Sequence, residues 1–293
     1  MQYAVAEKPC TTIYEIPSEV VMKDGITLSA ISDEALYGMG LCITGAEENG
    51  FYPVRTFYGY YGYVHADEVR VTELEALKKW DEGLVVTNAV CLDVVSYPKV
   101  QGVRLISVYR GSLLYLEEWE CGMEGWAKVR LADGQCGYVR NQYLDKKEFS
   151  QAGLWTGKLI QKEIVDEAAF RMAVVETART YLGTQYRWGG RSTAGIDCSG
   201  LTSTSYMRNG ILTYRDAKIA EGYPVHEISR DEMLPGDLLY FPGHIAMYMG
   251  NGKYIHSTGK IGSGGVVINS FNCGDEDYRA DLVESLCAVG SIF

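Results

Sequence analysis

Histidine is scarce in this chain: only His65, His226, His244 and His256 occur, and no Cys-x-x-Cys pair accompanies them. A structural zinc site draws on closely spaced Cys and His, so no metal is expected, and no cofactor. Basic clusters are missing as well. With 27 Lys and Arg against 38 Asp and Glu, the formal charge of −11 repels nucleic acid and anionic membranes at long range, and neither is expected as a partner. No apolar run is long enough to span a bilayer. The opening Met1-Gln2-Tyr3-Ala4-Val5-Ala6-Glu7-Lys8-Pro9 lacks a basic segment followed by an apolar core, so no signal peptide is visible and the cytoplasm is the expected compartment. An export signal removed from upstream would make the protein secreted instead. The eight cysteines are even in number, which invites a disulfide framework. But a chain of 293 residues has cores of its own and shows no export signal, so free thiols are expected.

What is present points to folded, strand-rich structure. Proline numbers 7 against 33 glycines, hydrophobic residues make up 47%, and Tyr alone numbers 22, a residue suited to half-buried strand faces. A repeat runs through the first half. Gly50-Phe51, Val54-Arg55, Gly59 and Gly62-Tyr63-Val64 return 75 residues later as Gly125-Trp126, Val129-Arg130, Gly134 and Gly137-Tyr138-Val139. Each block reads as a strand, a tight turn and a second strand. Further short β-like runs lie upstream of each, around Leu41-Cys42-Ile43 and Leu113-Leu114-Tyr115-Leu116. Two tandem small β-barrels are therefore expected, at 1–72 and 88–147, joined by a helical linker over 73–87.

The pattern then changes. Val165 to Leu182 has helical spacing, with Ala168, Ala169, Met172, Val175, Ala178 and Leu182 on one stripe. A second helix is expected from Cys198 to Asn209, followed after Pro235-Gly236-Asp237 by short strands. Helices first and an antiparallel sheet afterwards make an α+β domain over 160–293.

Cys198 opens its helix after a Gly-rich turn, where unpaired N–H groups and the helix dipole favour a thiolate and can hold an oxyanion. His244 begins an apolar strand, Asn251-Gly252 signals a hairpin, and His256 sits on the returning strand. The two imidazoles can share a face, one to take the thiol proton and the other to hold the first in its working tautomer. A small buried hydrophobe is the plainer reading of Cys198 taken alone. His65 and His226 read as surface residues, and Cys273 and Cys287 as core residues.

The stretch from Val165 to Phe293 resembles the NlpC/P60 family of papain-like cell-wall endopeptidases. Gly195-Ile196-Asp197-Cys198-Ser199-Gly200, Pro235-Gly236-Asp237-Leu238, His244 before an apolar strand and Asn251-Gly252 before His256 carry the likeness. It implies Cys198 as nucleophile, His244 as base and His256 as orienter. It also implies Tyr186 near the oxyanion site, and Asp197 and Ser199 shaping the S2 side of the cleft. Trp188 is either a cleft wall or a buried packing residue. The tandem barrels resemble bacterial SH3-type domains, and the whole chain resembles cytoplasmic γ-D-glutamyl-L-diamino-acid peptidases that trim murein peptides. That likeness implies that Asp216, in Tyr214-Arg215-Asp216-Ala217, binds the free amine of an N-terminal L-Ala, although relatives often carry a hydroxyl residue where Ala217 stands. It further implies that Glu34 and Tyr60 of the first barrel close the pocket, with Asp33 and Tyr61 as adjacent alternatives.

The expected activity is hydrolysis of the bond between γ-D-Glu and meso-diaminopimelate or L-Lys in such peptides. A secreted hydrolase of intact peptidoglycan, with the barrels as wall-binding modules, is the alternative. A silent wall-binding protein is disfavoured by the intact Cys-His-His set, and a lipid acyltransferase by the polar loops.

Overall fold

A computed structural model describes residues 2–293, which divide after Leu159 into two units. The first unit opens with β1 (Gln2–Ala6), β2 (Cys10–Tyr14), β3 (Val20–Lys23), β4 (Ile26–Ser29), β5 (Ile31–Leu36), β6 (Gly40–Ile43), β7 (Phe51–Thr56), β8 (Tyr61–His65) and β9 (Val69–Thr72). Apart from β3 and β4, which pair only with each other, these strands form one sheet in the order β5-β2-β8-β7-β6-β1-β9. Helix α1 (Leu74–Glu82) leads to β10 (Leu84–Thr87), β11 (Cys91–Val95), β12 (Arg104–Tyr109), β13 (Leu113–Glu118), β14 (Trp126–Arg130), β15 (Cys136–Arg140) and β16 (Leu144–Lys146). Their order, β12-β11-β15-β14-β13-β10-β16, is that of the first sheet, strand for strand.

The repeated glycines explain the repeated hairpin. Phe51 faces His65 and Val54 faces Gly62, just as Trp126 faces Arg140 and Val129 faces Gly137. Gly59 and Gly134 hold φ near +82° and +89°, a turn conformation that a side chain resists. The slip in register between Ile13 and Tyr14 recurs between Val94 and Val95. The second domain begins earlier than expected. Residues 84–87, read from sequence as linker, are β10, which pairs with β13 and β16. Gly83 caps the helix, a Cβ there would run into the Tyr115 ring, and Leu84 to Thr87 are all buried. The two β domains abut: Tyr37 joins the core of the second, its hydroxyl accepting the Ala132 N–H at 2.8 Å. A short helix α2 (Gly153–Thr156) lies near the end of this unit.

The second unit contains α3 (Glu167–Arg179), β17 (Arg191–Ser192), β18 (Gly195–Ile196), α4 (Cys198–Arg208), β19 (His226–Ile228), β20 (Leu238–Phe241), β21 (His244–Gly250), β22 (Lys253–Thr258), β23 (Gly265–Ser270), α5 (Ala280–Ser285) and β24 (Ala288–Ser291). Its antiparallel sheet runs β19-β24-β20-β21-β22-β23. Helix α4 packs on α3 and on β21 and β22, and every residue from Cys198 to Met207 is buried.

The α3 stripe differs from the expected one. Ala168, Ala169, Met172 and Leu182 are exposed, Met172 at 54%, and the buried face is Arg171, Val174, Val175 and Ala178. A charged residue at a core position displaced the expected stripe. Arg171 is buried because Asp237 takes its Nη1 at 2.7 Å. Cys273 and Cys287, expected in the core, are exposed.

Candidate functional site

Asp197 caps α4 and organises the turn before it. One carboxylate oxygen accepts the Gly200 N–H at 2.6 Å and the other the Gly189 N–H at 2.9 Å. The guanidinium of Arg215, 1% exposed, forks onto both oxygens at 3.0 Å and reaches Ser199 Oγ at 2.8 Å. Gly200 lies so close to the Gly190 carbonyl that a Cβ would strike it. The Gly-rich turn is thus locked against the helix, and Cys198 stands at the first position of α4.

Cys198 is 6% exposed. Burial pushes its thiol up to about 11, and the Asp197 carboxylate adds to the rise. The N–H groups of Ile245 and Ser199 pull the other way. Arg215 opposes the rise as well, and burial is the largest of these influences. The Ile245 N–H contact also places Cys198 beside the start of β21, the strand that His244 opens.

Pairing of Met247 with Ile255 and Tyr248 with Tyr254 brings the two strands into register around Asn251 and Gly252, both at positive φ. His244 Nε2 then lies 2.7 Å from His256 Nδ1, with the rings nearly perpendicular at 75°. Burial lowers His244 to about 3, helped by His256 and Arg279 and opposed by Asp281. Burial likewise lowers His256 to about 4, opposed first by a hydrogen bond to Asn269. Burial thus favours the neutral form of the thiol and of both imidazoles.

Beyond the histidines the network continues to a residue that the sequence did not single out. His256 Nε2 lies 2.8 Å from Asn269 Oδ1 on β23, and Asn269 Nδ2 donates to the Asp277 carbonyl at 2.7 Å. Asn269 ends a run of apolar strand residues and belongs to no motif. Only the pairing of β22 with β23 reveals it. Arg215 was legible only as the neighbour of Asp216.

Tyr186 is half-buried, its phenol raised by burial and then by Cys198 and Asp197. Trp188 is 63% exposed, so it is not a packing residue. Ser199 and Asp197 are buried with Arg215, and half-buried Asp216 hydrogen-bonds Tyr214. Glu34 and Tyr60 belong to the first unit. Glu34 is buried on β5 beside Asp33, which accepts the Tyr58 hydroxyl at 2.5 Å, and Tyr60 is half-buried after β7. His65 pairs with Glu19 at 3.0 Å in the first domain, and His226 is exposed on β19. Among the described residues no cluster of His, Cys, Asp and Glu is suited to a metal ion, and no helix is long and apolar enough to cross a membrane.

Comparison with known proteins agrees with this geometry. Dipeptidyl-peptidase 6 of Lysinibacillus sphaericus is 39% identical over 262 residues, 89% of this chain and 92% of that protein. The γ-D-glutamyl-L-lysine dipeptidyl-peptidase of Bacillus subtilis is 38% identical over 101 residues, 30% of this chain and 32% of that protein. A solved NlpC/P60 family protein from Bacillus cereus has the same fold, with a TM-score of 0.73 over 98% of both chains at 19% identity. The NlpC/P60 family pattern itself matches residues 183–274, the segment that holds Cys198, His244, His256 and Asn269. The chain therefore belongs to the NlpC/P60 family of cysteine peptidases.

Proposed function

We propose that the protein is a cysteine endopeptidase that releases L-Ala-γ-D-Glu from murein peptides with a free N-terminal L-Ala, cutting before meso-diaminopimelate or L-Lys, in cell-wall peptide recycling. The observation that carries the chemistry is the 2.7 Å bond between His244 and His256 beside the helix that presents Cys198. In this reading His244 takes the Cys198 proton as Sγ attacks the γ-carbonyl carbon. The tetrahedral oxyanion is met by N–H groups at the start of α4 and by Tyr186, whose raised phenol stays a hydrogen-bond donor at neutral pH. The C–N bond breaks as the imidazolium returns its proton to the leaving amine. Water, deprotonated by His244, then hydrolyses the thioester and frees Cys198. Trp188 forms a wall of the cleft, while Asp197 and Ser199 shape its S2 side through the Arg215 lock.

The substrate class draws support from the relatives' names, one a dipeptidyl-peptidase and the other a γ-D-glutamyl-L-lysine dipeptidyl-peptidase. A peptidase that counts two residues from a free amine must pair that ammonium, because a buried cation without an anion is costly. Asp216 is the acid this reading assigns within the catalytic unit, and substitution of Glu34 or Tyr60 asks whether the first domain takes part. The test compares L-Ala-γ-D-Glu-meso-diaminopimelate with its N-acetylated form by mass spectrometry, on wild type, Asp216→Asn and Glu34→Gln. Strong preference for the free amine, weakened in Asp216→Asn, is expected. Equal cleavage of both peptides by wild type would refute the substrate assignment and favour a hydrolase of intact peptidoglycan.

A further inference from the structure

An amide side chain can face an imidazole with either end, and the end it shows decides the imidazole's tautomer. The structure settles which end Asn269 shows. The Asp277 carbonyl can only accept, so the group 2.7 Å from it must be the NH2 of Asn269. The oxygen then faces His256 Nε2 at 2.8 Å. An amide oxygen can only accept, so His256 carries its proton on Nε2. His256 Nδ1 is left with a lone pair and must accept from His244 Nε2 across 2.7 Å. With Nε2 of His244 occupied by that proton, only its Nδ1 remains to exchange a proton with a thiol. One amide thus sets the polarity of the whole chain of rings.

The amide is itself held in place. Asn269 is 8% exposed, and the Asp277 carbonyl that orients it also takes the Ser270 N–H at 3.1 Å. The Asp277 carboxylate is gripped by Lys253 Nζ at 2.8 Å, and Asp275 by the same ammonium at 2.7 Å. The segment after β23 is therefore pinned to β22, the strand that carries His256.

We infer that Asn269 is a positioning residue, which fixes His256 in its Nε2–H tautomer and so leaves His244 Nδ1 free as the base toward Cys198. This rests on the Cys198–His244–His256 reading above. Arg279 and Asp281 also act on both rings but supply no directed acceptor to them.

The test uses the full chain with Asn269→Leu and Asn269→Asp. Both variants lose the NH2 that holds the Asp277 carbonyl, but only Asp keeps an acceptor facing His256. Asn269→Leu is expected to lower kcat roughly 10²-fold with KM changed less than about threefold, while Asn269→Asp loses less than about tenfold. Long-range proton–nitrogen spectra of the wild type should show His256 as Nε2–H, and the Leu variant should show a mixture of tautomers. Equal loss in both folded variants would reduce Asn269 to a loop anchor. Wild-type kcat in Asn269→Leu, or a wild-type His256 protonated on Nδ1, would overturn the inference. The spectra decide the matter even if Asn269→Leu does not fold. Activity surviving in Cys198→Ala would instead sink the reading of the site, while the tautomer measurement would still stand on its own.

Discussion

Ile13, Val54 and Val64 fill the first β domain where Val94, Val129 and Val139 fill the second, and none is more than 1% exposed. The first β domain buries two acids, Asp33 and Glu34, but the C-terminal unit buries charges of both signs that pair with one another. Arg171, Arg191, Arg215, Asp197, Asp237 and His256 are all buried there. Apolar contact is non-directional, so a core made of it tolerates exchange of one similar side chain for another, as Ile13 for Val94 or Phe51 for Trp126. That tolerance lets one topology appear twice in a chain while the sequences drift. Buried charges carry direction. Each must meet its partner at a set distance and angle, and each pair pins two pieces of backbone to one another. Arg215 and Asp197 pin the Gly-rich turn to α4, and Arg171 and Asp237 pin α3 to the start of β20. The comparison suggests that the β domains maintain a shape while the C-terminal unit maintains positions.

The strongest way to sharpen it is to remove the positions themselves. Cys198→Ala and Cys198→Ser should abolish hydrolysis with the fold intact, since the covalent step is lost. His244→Ala should cost several orders of magnitude, and His256→Ala about 10²–10⁴-fold, because the base moves the proton and the orienter only directs it. Steady-state kinetics on the free-amine tripeptide checks all four. Substantial turnover in Cys198→Ala rules it out as nucleophile, and a milder loss in His244→Ala than in His256→Ala reverses the roles.

Next in size is a broken lock. Arg215→Met leaves the Asp197 carboxylate buried without its cation, held by the Gly189 and Gly200 N–H groups and the Ser199 hydroxyl, at a cost of about 3–5 kcal/mol. Hydrogen exchange read by mass spectrometry on the full chain should show faster exchange across α4 and residues 186–200, with residues 2–159 unchanged. Equal loosening of the β domains would break the comparison, because the lock would then stabilise the whole chain.

The same contrast governs what the sequence discloses. The repeat was legible because identical turns need identical glycines, so Gly59 and Gly134 mark the hairpins without any knowledge of packing. Cys198, His244 and His256 were legible as motif residues on a helix start and a hairpin. What stayed hidden lies where long-range pairing decides. Residues 84–87 read as linker because a run of three apolar residues has no period to identify it, and only β13 and β16 make it a strand. Arg171 does not read as a core residue because its partner, Asp237, lies 66 residues away. Asn269 was invisible because its meaning comes from His256 on the neighbouring strand.

A smaller effect tests whether the duplicated domains are as alike in packing as in topology. A Cβ on Gly62 would collide with Ile13 Cγ2 and lie 2.7 Å from the Tyr14 carbonyl oxygen. One on Gly137 would collide with Val94 Cγ1 but lie 3.3 Å from the Val95 carbonyl. Side chains can shift and backbone cannot easily follow. Gly62→Ala and Gly137→Ala should each cost about 1–3 kcal/mol, with Gly62→Ala the worse, and kcat unchanged in Gly137→Ala. Local exchange rates in β8 and β15 measure both. Equal costs would show that the two domains accommodate strain alike despite their different contacts.

The smallest effect concerns a charge pair of the first unit, Arg70 with Glu7, which bridges β9 to the end of β1. Its geometry is close, as in the Arg215 lock, but its surroundings are not. The Arg70 side chain is 49% exposed and that of Glu7 25%. Water screens such a pair, and ordering two long side chains offsets much of the Coulomb gain, so its coupling should be about 0–1 kcal/mol. A double-mutant cycle with Arg70→Ala and Glu7→Ala, read by exchange in β1 and β9, measures the coupling directly. Repeating it in 1 M salt should reduce the value further, since the screening length falls to about 3 Å. A coupling near 3 kcal/mol that resists salt would show that the β domains also rely on directed charge, and the contrast between a unit that keeps a shape and a unit that keeps positions would fail at its simplest point.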